Sequence, residues 1–155
     1  MTFLIDSNYK IGDKIAVEKA PHVLLKYKSL KDILKNEKWN NNLSILEKEI
    51  NLQLNKPVEE RKNIIIKKIN SPYNIISTLT RKIAWESQKD ILVVNNGFSK
   101  ESDQIYIRSN KNLENLISNG KSLGYRCGGK KEVMGAVVTK DKTDFFVKLI
   151  LEYLS

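Results

Sequence analysis

The run that most limits the fold is DILVV, Asp90–Val94. It is too short for a helix, and apolar at every position after the first. A strand that shows no polar alternation is covered on both faces, so this chain needs layers on each side of a sheet. The neighbouring segments agree. Asn63–Ile69 (NIIIKKI) is rich in β-branched residues and reads as a strand with solvated lysines. Gln104–Arg108 (QIYIR) alternates and follows an Asn95-Asn96-Gly97 turn, as the second arm of a hairpin. Val133–Thr139 makes a further strand. Between these lie helical patterns. Ser71-Pro72 is expected to open a helix whose Ile75, Ile76, Leu79, Ile83 and Ala84 share a face. Asn112 caps another, which Gly124 stops. Asp141 or Thr143 opens the last, through DFFVKLILEYL. From Arg61 the order is β-α-β-β-α-β-α, a mixed sheet carrying helices in one α/β domain over residues 61–155.

Residues 1–60 read as a mostly helical N-terminal extension packed on that domain. Ile15–Val17 and Val23–Tyr27 look strand-like, separated by Pro21. Ser29 is a cap for LKDILKNEK, and Asn42 for LSILEKEINLQLN, whose Leu43, Leu46, Ile50 and Leu54 fall on one face. Lys56-Pro57 ends that helix.

Charge and missing chemistry then limit function. The net charge of +9 and pI of about 9.5 suit a polyanionic partner, nucleic acid first and an acidic protein second; a Lys-, Asn- and Ile-rich composition also raises the lysine count by itself. One cysteine, Cys127, permits no internal disulfide and fits a reducing, cytoplasmic setting. The first residues are too weakly apolar for a signal peptide, and no run is long enough to span a bilayer. The one histidine, His22, stands among apolar neighbours, and the seven aspartates are scattered singly. No catalytic residue, metal site, cofactor or small-molecule substrate is therefore expected. Cys127 has no histidine nearby to act as a base, although Arg126, Lys130 and Lys131 would lower its pKa. The GKS at Gly120–Ser122 lacks the earlier glycine of a phosphate-binding loop and lies inside a helical pattern.

What remains is YRCGGKKEVMGAVV, residues 125–138, where a glycine pair meets dense positive charge. A Gly-Gly turn brings bare N–H groups together and lets a ligand approach the backbone. The candidate nucleic-acid-binding residues are Arg108, Lys121, Arg126, Gly128, Gly129, Lys130 and Lys131, with Lys111 nearby. Tyr106 and Tyr125 are stacking candidates, or ordinary core and rim aromatics.

The stretch from about Asn63 to Ser155 resembles the DHHA1-type domain of the DHH phosphoesterase superfamily, the C-terminal nucleic-acid-binding domain of RecJ exonucleases. Gly128-Gly129-Lys130-Lys131-Glu132-Val133-Met134-Gly135-Ala136 follows the family spacing of Gly-Gly-His, two residues, then Ala-Ala-Gly, and Tyr106–Asn110 (YIRSN) is similar to its strand ending in arginine and serine. Lys130 stands where the family has histidine, and there is no DHH motif. The resemblance therefore implies a binding unit without a nuclease, in which residues 1–60 are a remnant or replacement of the lost domain. Within the superfamily the chain looks like the nuclease-less, Cdc-forty-five-like RecJ homologues of archaea. That likeness implies an accessory subunit of the replicative helicase at the fork, binding GINS, through it MCM, and single-stranded DNA. Two alternatives stay open: a free-standing single-strand-binding module, and the binding half of a split DHH phosphoesterase.

Overall fold

The computed structural model describes Met1–Ser155. Its order is α1 (Thr2–Ile11), α2 (Lys14–Leu24), α3 (Leu30–Ile33), α4 (Glu37–Leu54), β1 (Glu59–Arg61), β2 (Ile64–Ile69), α5 (Ile76–Glu86), β3 (Asp90–Asn95), β4 (Ser102–Arg108), α6 (Glu114–Ser122), β5 (Arg126–Lys130), β6 (Val133–Thr139) and α7 (Lys140–Leu154). The six strands form one sheet in the order β1-β2-β3-β4-β6-β5. Only β2 and β3 run parallel, joined by α5; every other neighbouring pair is antiparallel.

β3 is buried at every residue, as its apolar run requires. Leu92 and Val94 point into one core layer with Ile105, Ile107, Met134, Ala136, Val138 and the α7 residues Phe146, Ile150 and Leu154. Ile91 and Val93 point the other way, into a layer with Leu46, Ile50, Ile65, Ile69, Ile75, Ile76 and Leu79. Helices α6 and α7 thus cover one face, and α4 and α5 cover the β2–β4 half of the other. A third, smaller cluster of Leu4, Ala20, Ile33 and Trp39 holds the N-terminal helices together.

The regions expected as strands around Ile15–Val17 and Val23–Tyr27 are instead α2 and the turn after it. Asp13 caps α2 through the Ala16 N–H, and Pro21 is carried inside the helix. Ser29 does cap α3, but that helix lasts four residues. Asn36, whose carboxamide accepts from the Trp39 N–H at 3.0 Å, opens α4 earlier than Asn42 would have done. Asn42 is buried inside α4 and donates to Asn8. Ser71 does not cap α5; its backbone N–H and C=O pair with the Asn95 side chain, which ties the ends of the two parallel strands.

Two strands escaped the pattern because both are edges. β1 is three exposed residues, and β5 is the glycine segment itself. The Gly-Gly pair is therefore strand and not turn; Lys131-Glu132 makes the turn between β5 and β6. Nor is Ile64–Ile66 or Ile105–Ile107 an open edge awaiting another chain, since β2 and β4 each have a strand on both sides. No helix is long and apolar enough to cross a membrane.

Candidate nucleic-acid interface

Strand alternation decides which side chains share a face. Met134, Ala136, Val138 and Cys127 turn toward the α6–α7 core. Their neighbours turn the other way, onto the half of the sheet that α4 and α5 leave uncovered. The register aligns three rows there. Arg126 lies opposite Val137, and Val137 opposite Gln104. Gly128 lies opposite Gly135, and Gly135 opposite Tyr106. Lys130 lies opposite Val133, and Val133 opposite Arg108. The middle row has two glycines, Gly128 open and Gly135 with the Tyr106 ring against it, between a row ending in Arg126 and a row carrying both Lys130 and Arg108. No carboxylate stands on any of the three.

The two glycines of β5 are there for different reasons. A Cβ on Gly129 would sit 2.0 Å from the Val133 carbonyl oxygen and 2.9 Å from the Met134 Cα, so the hairpin closes only over glycine. A Cβ on Gly128 would meet nothing within 4 Å. The protein's own packing does not require glycine at 128; it leaves bare backbone at the trough floor, on an edge strand.

Of the candidates named from sequence, Arg108, Arg126, Gly128 and Lys130 meet on this face. Gly129 points to the opposite side as a hinge for the hairpin. Lys131 lies in the exposed turn, where its carbonyl accepts from the Leu113 N–H at 2.7 Å. Lys121 is in the last turn of α6, on the other layer. Lys111 is engaged elsewhere, donating to the Leu154 carbonyl at 2.5 Å. None of Arg108, Lys121, Arg126, Lys130 and Lys131 takes part in an ion pair.

Cys127 corrects the expectation of a lowered thiol. Burial pushes its pKa up, and the nearby Lys121 charge only partly opposes that. The sulfur packs so closely on α6 that a Cβ at Gly120 would stand 2.5 Å from it. The stacking candidates are committed to packing as well. Tyr125 sits edge-on to Phe146 with ring centroids 4.9 Å apart, and Tyr106 packs against the second core layer.

Sequence reasoning missed Trp85, which is 75% exposed at the end of α5. It lines a cleft of about 380 Å³ together with Lys89, Arg108, Ser109, Asn110 and Glu132. Its signal was present: at 100° a residue, Trp85 falls about 180° from Ile76 on the helix, away from the apolar stripe. No three histidine, cysteine, aspartate or glutamate side chains come together as a metal-holding group.

No family model matches the chain, and no curated protein matches it by sequence. Solved structures do match in shape. RecJ from Thermus thermophilus, determined with Mn2+, superposes with a TM-score of 0.74 at 14% identity, over 98% of this chain and 23% of RecJ. The pGpG-specific phosphodiesterase PggH from Vibrio cholerae superposes with a TM-score of 0.59 at 14% identity, over 98% of this chain and 55% of PggH. The chain thus spans about a quarter of the one and about half of the other, and the likeness takes in the N-terminal helices as well as the sheet. At this identity the likeness concerns shape, and with the six-stranded mixed sheet and its glycine hairpin it gives the protein a DHHA1-type α/β fold.

Proposed function

We propose that this chain grips single-stranded nucleic acid through the trough on β4, β6 and β5, and that over these residues it binds without cutting. The observation that carries the reading is the three-row face itself: Arg108, Arg126 and Lys130, none of them in an ion pair, around a glycine floor that the fold does not need at Gly128. Phosphates approach such a floor closely, and cations on either side hold them without regard to sequence.

The experiment is fluorescence anisotropy of a labelled single-stranded oligonucleotide across a salt series. Binding should weaken with salt at a log–log slope of about −0.7 per phosphate contacted. The Lys130→Glu, Lys131→Glu variant should lose most of the affinity and flatten the slope. Salt-independent binding, or an unaffected variant, contradicts the reading.

A finer form makes the chain an accessory subunit of the archaeal replicative helicase assembly, meeting GINS and through it MCM. Lys130 in the place of the family histidine favours it, because a unit serving no active site keeps the charge and not the imidazole. Tagged protein purified from its native extract should then carry GINS and MCM; recovery of no replication protein contradicts this form and leaves the trough untouched.

A further inference from the structure

We infer that the cleft beside Trp85 receives a nucleobase of the bound strand, stacked on the indole, while the trough holds the phosphates; this rests on the nucleic-acid reading above. Trp85 is 75% exposed, whereas the other tryptophan, Trp39, is 3% exposed and belongs to a core cluster. A single exposed aromatic is ordinary on a protein surface; this one lines a cleft of a size to take an occupant. The cleft says which kind. Arg108 lines both it and the trough, is half-buried, and has no ion-pair partner, so its guanidinium is free for a ligand. Lys89 is already paired with Glu60. Glu132 puts a carboxylate on the cleft wall, which repels a phosphate but accepts from the exocyclic amine of a base. Ser109 and Asn110 line the cleft with further polar groups. An aromatic plate, one free cation at the trough end and polar groups of both kinds suit a planar base whose phosphate lies on the Arg108 side.

Trp85 is its own probe. The full chain is titrated with a short single-stranded oligodeoxyadenylate and, in a parallel arm, with inorganic tripolyphosphate, reading tryptophan fluorescence. The oligonucleotide should quench the exposed indole and tripolyphosphate should not. Trp85→Ala should weaken oligonucleotide binding by about 5- to 150-fold, the range for loss of one stacked base. Trp85→Phe should keep most of the affinity and lose the quenching. If Trp85→Ala binds as tightly as the parent chain while Lys130→Glu, Lys131→Glu still abolishes binding, the cleft inference falls and the trough stands. Equal quenching by tripolyphosphate overturns the base assignment. If no oligonucleotide binds at all, both fall.

Discussion

Gly128 and Gly129 are adjacent in sequence and separable in role. Alanine at 129 would drive its Cβ into the Val133 carbonyl, so Gly129→Ala should destabilise the fold by about 1–3 kcal/mol in urea titrations. Valine at 128 enters open space on an exposed strand, so Gly128→Val should move stability by no more than about 0.5 kcal/mol. It should nonetheless cut oligonucleotide affinity about tenfold, ~1.4 kcal/mol, because it fills the floor where phosphate approaches. A Gly128→Val chain that binds normally would show that the floor is not used. The glycine pair and its lysines were legible from sequence as a place of close approach. Their setting was not, because a glycine pair reads as a turn and only pairing with β6 makes it a strand. Trp85 was legible and passed over: its phase sets it off the apolar stripe of α5, but a lone aromatic there belongs to no motif.

Among the elements, α4 is fastened to the sheet by a buried lysine. Lys67 is 1% exposed, and its ammonium donates to the Leu54 and Lys56 carbonyls at 3.1 and 2.5 Å, at the open C-terminal end of α4. Read from sequence as a solvated strand lysine, it is in fact the link between the helical layer and β2. Lys67→Met leaves those carbonyls without a donor and should cost about 1–3 kcal/mol. Burial, and then the Lys56 charge, hold the Lys67 pKa below the ordinary lysine range. The unfolded chain therefore binds this proton more tightly than the folded one. Stability from this group rises with pH between the lowered value and the ordinary one, and is lost again as pH falls back across that window. The stability difference between parent and Lys67→Met should accordingly widen as pH is raised through the alkaline range; a difference that narrows there contradicts the assignment. The interior strands β2, β3, β4 and β6 were legible because burial writes itself into apolar patterning. β1 and β5 were not, because an exposed edge carries no such pattern.

For the whole molecule, the +9 charge is a poor guide by itself, since basic side chains occur on every layer. The sheet sorts them: Lys67 and Lys111 serve helix ends, Lys121 faces the far layer, and Arg108, Arg126 and Lys130 share the one uncovered face. The DHHA1-type fold supplies that face by placing helices over both sides of the sheet except across β6 and β5. Backbone amide NMR of the 15N-labelled chain, titrated with a single-stranded oligonucleotide, maps the contact directly. Shifts should concentrate in Arg126–Lys130, Val133–Val137 and Arg108, with the Trp85 indole moving alongside. Shifts confined to α1–α4, or none at saturating oligonucleotide, would mean that the uncovered face is not where this protein holds nucleic acid.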